Sequence, residues 1–208
     1  AYCVHHLTDT HDVILNMLEE CRKAGHEDRA LMFCSLSKVT FPGAGVAAMA
    51  ASRRNIDYIL KNMFPMIISF DKLNQVRHIR FLKDMDGLAA HMEKHRALLE
   101  PKFRAVLAIL DEGLSGCGSI ARWTKPNGGY FLSLYTLGGC AKRTVQLCRE
   151  AGVVLTDAGA AYPYGVDPQD SNIRIAPTFP PLDELETASR LLCVCVRIAT
   201  LEKLLQRQ

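Results

Sequence analysis

Apolar residues recur along this chain in two rhythms. Val13, Ile14, Met17 and Leu18 fall three to four apart, the spacing of one helical face, and predict a helix that begins at Thr10 and ends at Gly25. Leu31 to Ser35 is an unbroken apolar run of strand length, as expected for a strand in a sheet covered on both faces. Gly45 to Ala51 is a second such run, made of very small side chains that let another backbone or a flat ring come close. Ser52 then caps a helix through Met63. The helical rhythm returns from Asp71 to about Met85 and from Gly87 to Leu114, where Pro101 either breaks the helix or starts a fresh one.

Beyond Gly116 the pattern changes. Ile120 to Thr124 and Tyr130 to Leu134 predict strands around the turn Pro126-Asn127-Gly128-Gly129. Cys140 to Ala151 is helical, Val153 to Thr156 and Ile173 to Ala176 are strands, and Pro180-Pro181 precedes an amphipathic helix to about Leu205. Ala1 to Leu7 reads as the end of a strand. Long helices like the one ending at Leu114 commonly bridge domains, and the boundary is placed near residue 90, giving segments 1–90 and 91–208.

Composition narrows the class. The chain has 208 residues and 49% apolar content, enough for a sizeable core. Net charge is +3 with mixed signs, so no basic field points to nucleic acid. The apolar runs are short and interrupted, which predicts no transmembrane helix and no membrane partner. No basic-then-apolar leader opens the chain, and a start inside an apolar strand points to truncation. None of the eight cysteines is spaced as CxxC. Cys3, Cys34 and Cys148 sit in apolar surroundings and read as small buried hydrophobes of a reducing cytoplasm rather than a disulfide framework. Cys193 and Cys195, two apart on a helix, face different directions, and the spacings do not suit zinc. His5 and His6, adjacent on a strand, point to opposite faces and share no ion. Asp167-Pro168 with Asp170 reads as a solvated turn.

The chemistry concentrates at Ser35-Leu36-Ser37-Lys38, followed by Phe41-Pro42-Gly43-Ala44-Gly45. Here a lysine ends an apolar run, two hydroxyls precede it and a Pro-Gly turn follows. An unpaired ammonium costs several kcal/mol to bury, so a buried lysine is expected to have a lowered pKa and a neutral amine available for attack. A lysine so placed, beside hydroxyls and glycines, suits covalent capture of a phosphorylated aldehyde, namely pyridoxal phosphate. Arg174 in Asn172-Ile173-Arg174-Ile175-Ala176 suits a carboxylate, because its planar fork makes two parallel charge-assisted bonds.

Ser-x-Ser-Lys with Pro-Gly at this offset resembles the lysine motif of the fold-type I aminotransferases, the aspartate aminotransferase superfamily. Ala1-Tyr2 resembles the end of the family's Asp-x-x-Tyr motif, and the Arg174 strand resembles the one that grips the substrate carboxylate. Asp71-Lys72-Leu73-Asn74-Gln75 and Asn127-Gly128-Gly129-Tyr130-Phe131 are similar to the bacterial class Ic aspartate aminotransferases. The resemblance covers essentially the whole chain. It implies an α/β fold: part of a mostly parallel large-domain sheet that binds pyridoxal 5′-phosphate (1–90), then a linking helix and a smaller α+β C-terminal domain (91–208).

Carried over residue by residue, the resemblance implies that Lys38 is the Schiff-base lysine and proton shuttle. Tyr2 would bond the cofactor's phenolic oxygen. Ser35 would contact the phosphate, with Ser37 second to it, and Arg174 would pair with the α-carboxylate. The reaction implied is amino transfer from an α-amino acid, expected to be aspartate, to a 2-oxo acid, expected to be 2-oxoglutarate, in a cytoplasmic homodimer. Lys72, Arg77 and Arg80 are the candidates for gripping a second carboxylate. Two departures stand out. Relatives usually carry an arginine two residues after the Pro-Gly glycine, where this chain has Gly45, so either another cation serves or backbone amides hold the phosphate. The family's aspartate for the pyridine nitrogen, its glycine-rich loop and its stacking aromatic would all precede Ala1. The piece is therefore expected to be the C-terminal portion of a longer enzyme, inactive alone. The alternatives are an aminotransferase-like ligand-sensing domain of a transcription regulator, or another pyridoxal phosphate enzyme such as a lyase.

Overall fold

The computed structural model describes residues 7–206. Tyr2, Cys3, His5, His6 and the expected strand at Ala1 to Leu7, apart from Leu7 itself, lie outside the described residues. The chain divides into two compact units, Ala1–His95 and Arg96–Gln208, and the division falls inside one continuous helix.

The first unit opens with α1 (Met17–Lys23), seven residues later than the periodicity predicts. Asn16 sets the start, because its side chain accepts from the Glu19 amide at 3.3 Å. Val13 and Ile14 therefore stay outside the helix, 91% and 63% exposed. Strands β1 (Leu31–Ser35) and β2 (Ala47–Ala51) pair antiparallel, from Leu31 opposite Ala51 to Ser35 opposite Ala47. Residues 36–46 return the chain without the helical crossover that parallel strands need, so the expected mostly parallel sheet enters this chain as its antiparallel pair. The expected cover on both faces is not supplied by the described residues: Phe33 is 67% exposed and Cys34 is exposed, not buried as expected. Ser52 caps α2 (Arg53–Met63) through the Asn55 amide, and Asp71 caps α3 (Lys72–Leu82) through the Asn74 amide. Lys83, with φ at 65°, ends α3 short of Met85.

Met85 instead begins α4 (Met85–Leu114), which runs through Pro101 unbroken. Proline removes one backbone donor, to the Ala97 carbonyl. The rest of the turn is held by packing and by Lys102, whose Nζ donates to the carbonyls of Thr178 at 3.0 Å and Pro180 at 2.6 Å.

The second unit has its own core. Strands β3 (Ala121–Trp123), β4 (Leu132–Thr136) and β5 (Asn172–Ile175) form an antiparallel sheet in that order. Period-two alternation turns Leu132, Leu134, Ile173 and Ile175 inward, all fully or nearly buried. Around them α4 buries Leu99, Phe103, Val106, Leu110 and Leu114, while α5 (Ala141–Glu150) buries Val145 and Cys148 and α6 (Leu182–Leu205) buries Leu185, Leu192 and Val196. Val153 to Thr156 forms no ladder with any strand among the described residues, and Val154 is 80% exposed, so the strand expected there is an unpaired connection.

Cys193 and Cys195 do face different neighbours: the Cys193 thiol points to the Ile109 carbonyl at 3.7 Å, while Cys195 meets Cys148. Burial pushes the Cys148 thiol up to about 12, with Cys195 adding to the shift. Among the described residues, no helix is long and apolar enough to cross a membrane.

Candidate functional site

At the end of β1 the ladder runs one step further, the Leu36 amide donating to the Val46 carbonyl at 2.9 Å. The chain then closes one tight turn. The Leu36 carbonyl accepts from the amides of Val39 and Thr40, both at 2.9 Å, and from the Thr40 hydroxyl at 3.1 Å. Lys38 rides on this turn. Ser35 and Ser37 flank Leu36 with their hydroxyl oxygens 2.8 Å apart, and the Ser37 amide donates to the Ser35 hydroxyl at 3.1 Å.

Phe41-Pro42-Gly43-Ala44 is a reverse turn, closed by the Ala44 amide on the Phe41 carbonyl at 3.1 Å. Pro42 pre-sets its first corner and Gly43, at φ +77°, supplies the left-handed second corner. The chain comes back so close that a β-carbon at Gly45 would lie 3.0 Å from the Ser37 α-carbon and 2.6 Å from its hydroxyl oxygen. A side chain at this position, where relatives usually carry arginine, would have to displace Ser37.

Lys38 itself is exposed and belongs to the turn, not to the strand. The buried lysine inferred from the apolar run is thus corrected: the described residues place the amine outside the first unit's core, and the burial that was to tune it is not supplied by them. Tyr2 lies outside the described residues. Lys72, Arg77 and Arg80 are exposed along α3.

The turn is held from behind by side chains that pattern reading missed. His91 Nε2–H donates to the Val39 carbonyl at 2.7 Å, and Val39 is buried. His78, also buried, sits with Nε2 2.7 Å from the Thr40 hydroxyl and Nδ1 2.8 Å from the Asn74 carbonyl. Phe41 and Phe81 pack against these rings, with centroids 5.0–5.3 Å apart and tilted or edge-on. The only sequence signal was the four-residue spacing of His91 and His95, which puts both on one helical face but says nothing of Val39.

In the second unit Arg174 stands on β5 opposite Ser133 of β4. Its guanidinium carbon lies 4.8 Å from the centre of the Phe131 ring. Its Nε is buried and meets no hydrogen-bond acceptor among the described residues. Arg174 also lines a cavity of about 570 Å³, together with Val154, Thr156, Pro180 and Ala188.

The loop before β5 is organised by Asp167. Its carboxylate accepts from the amides of Gln169, Ser171 and Asn172 at 3.0, 2.8 and 2.8 Å, and from the Ser171 hydroxyl at 3.3 Å. Burial alone would raise this acid, but the donors from Ser171, Asn172 and Gln169 outweigh it and hold the carboxyl below its ordinary value. The turn read as solvated is in fact built around this buried acid.

The sequence model for "Aspartate amino-transferase" matches residues 1–208. A protein of Mycolicibacterium smegmatis described as a "Putative aminotransferase" is 48% identical over 99% of this chain and 48% of its own length. The crystal structure of an aspartate transaminase from Corynebacterium glutamicum superposes with a TM-score of 0.92 and 41% identity, covering 98% of this chain and 48% of that one. The alpha-aminoadipate aminotransferase of Thermus thermophilus, solved with N-(5′-phosphopyridoxyl)-L-leucine, shares the fold at a TM-score of 0.77 with 21% identity, over 96% of this chain and 49% of that one. The chain spans about half the length of the curated relatives it matches.

Proposed function

This chain belongs to the aspartate aminotransferase family, and from that membership we propose that the protein transfers an amino group from an α-amino acid to a 2-oxo acid, with pyridoxal 5′-phosphate linked to Lys38. Aspartate is the expected donor and 2-oxoglutarate the expected acceptor. One observation carries the reading: Lys38 is presented on a hydrogen-bonded turn whose neighbouring serine hydroxyls lie 2.8 Å apart, with Gly45 packed directly against Ser37.

That cradle fits a phosphate ester. It offers two adjacent serine hydroxyls, and no side chain projects from position 45. With no guanidinium at position 45, Ser35, Ser37 and backbone amides would hold the phosphate, and Tyr2 would bond the ring oxygen. When bound, pyridoxal phosphate supplies an electron sink for the substrate's α-carbon. Lys38 anchors it and then uses Nζ to take up and return the α-proton. Arg174 grips the α-carboxylate and so sets which α-bond is aligned for cleavage. A buried donor without an acceptor costs about 1–3 kcal/mol, and the unpaired Arg174 Nε supports a guanidinium kept for an incoming anion.

A homodimer and a reducing cytoplasm go with this reading. The test is covalent. Borohydride treatment of the cofactor-loaded protein is expected to fix the cofactor to the Lys38 peptide, seen by mass spectrometry. Lys38→Ala should lose both that adduct and the visible absorbance band. The same adduct persisting in the alanine variant defeats the assignment.

A further inference from the structure

The histidines behind the Lys38 turn are not part of the site as described above, yet they hold its backbone. A carbonyl oxygen only accepts, so the 2.7 Å contact to Val39 fixes the proton of His91 on Nε2. His95 Nε2 lies 3.2 Å from that same nitrogen and must then be the acceptor, with its own proton on Nδ1. Burial, and then His91, keep His95 below the ordinary histidine value, in keeping with a neutral ring. By the same logic the Asn74 carbonyl, 2.8 Å away, requires a proton on His78 Nδ1.

His78 Nε2 faces the Thr40 hydroxyl at 2.7 Å, and the single proton of that hydroxyl is shared between this nitrogen and the Leu36 carbonyl at 3.1 Å. The backbone on the C-terminal side of Lys38 is therefore pinned at two successive residues: Val39 by α4 and Thr40 by α3. α3 and residues 85–95 of α4, which carry His78 and His91, belong to the same compact unit as the turn. Lys38 is exposed, and the backbone that presents it is the backbone these contacts hold.

We propose that His91 is a positioning residue for Lys38, acting through the Val39 carbonyl, and that His78 acts in the same way through Thr40. The proposal rests on the role given to Lys38 above. Its physical basis is that a small misplacement of a reacting group, caused by a change away from the chemistry, slows reaction far more than it weakens ligand binding.

The test compares His91→Leu, which removes the donor, with His91→Gln, whose amide N–H can replace it. Two readouts are followed in the protein loaded with pyridoxal 5′-phosphate. One is the rate at which the borohydride-fixable Lys38 adduct forms. The other is deuterium uptake at the Val39 and Thr40 amides, which needs no catalysis. His91→Leu is expected to slow adduct formation about tenfold, to lower kcat more than it changes KM, and to raise uptake at both amides. His91→Gln is expected to restore the rate to within about threefold.

An unchanged rate in His91→Leu, or equal losses in the leucine and glutamine variants, overturns the proposal. Should His91→Leu fail to fold, Thr40→Val carries the test: it keeps the side-chain shape and removes the hydroxyl, and an unchanged rate there overturns the proposal equally. Failure of the Lys38 assignment shows separately, as an adduct that survives Lys38→Ala, and takes this proposal with it. An adduct that needs Lys38 but forms at full speed without the His91 donor sinks this proposal alone.

Discussion

At Asp167 one carboxylate does for a loop what a ladder does for a strand, gathering the amides of Gln169, Ser171 and Asn172. Its proton is bound less readily in the folded chain than in the unfolded one, whose ordinary value is 3.8. Folding is therefore favoured above that pH, and the increment is lost as pH falls through the lower folded value. Asp167→Asn keeps the size but replaces an ionised acceptor with a neutral one. It should cost about 2 kcal/mol at neutral pH and flatten the acid limb of the stability profile, as read by urea denaturation between neutral and acidic pH. An acid limb unchanged in the variant would show that another group carries it. The residue types here were visible in the sequence, but their burial was not. A Pro-Asp-Ser-rich segment has the composition of a solvated turn, and only the closed loop reveals three amides aimed at one acid. Lys38 failed the other way: an apolar run implied burial, whereas cover depends on what lies across the sheet.

Helices and strands were legible wherever the burial pattern is periodic. The stripes of α4 and α6 and the alternation of β4 and β5 follow from local spacing. Misplaced ends have local causes, as at α1, where the Asn16 cap outweighs the apolar residues before it. What no window of sequence reports is how closely two elements approach. Gly113 in α4 is such a point, since a β-carbon there would lie 2.8 Å from the Cys193 thiol of α6. Alanine gains at most about 1 kcal/mol over glycine, and less in the last turn where Gly113 stands, while overpacking a filled core costs about 1–3 kcal/mol. The core side chain is buried and its β-carbon would also be hit, at 2.9 Å. Gly113→Ala should therefore lower the urea midpoint despite its better helix propensity. A raised midpoint would mean that α6 shifts freely at this contact.

For the molecule as a whole, the two units differ in how well they cover their own apolar surface. The second packs a continuous core. Among the described residues of the first, Phe33, Tyr58, Phe64 and Ile68 are 67%, 70%, 69% and 87% exposed. Uncovered apolar area on this scale marks a surface that is normally buried against something. The 208-residue chain on its own should bind a hydrophobic dye and self-associate, with amide exchange slow through residues 103–114 and fast through residues 31–64. Equal protection of both segments, with no dye binding, would show that the first unit is self-sufficient.

The sequence alone determined the candidate residue types and their order: serine hydroxyls, a lysine, a Pro-Gly reversal, and far along the chain an arginine on a strand. It also determined most elements, because capping, periodicity and turn chemistry act over a few neighbouring residues. The tertiary structure alone decided which groups are covered and which are pinned. His91 reaches Val39 across 52 positions, and Gly45 packs directly against Ser37. Such contacts depend on where distant segments come to rest in space, and no local spacing encodes that.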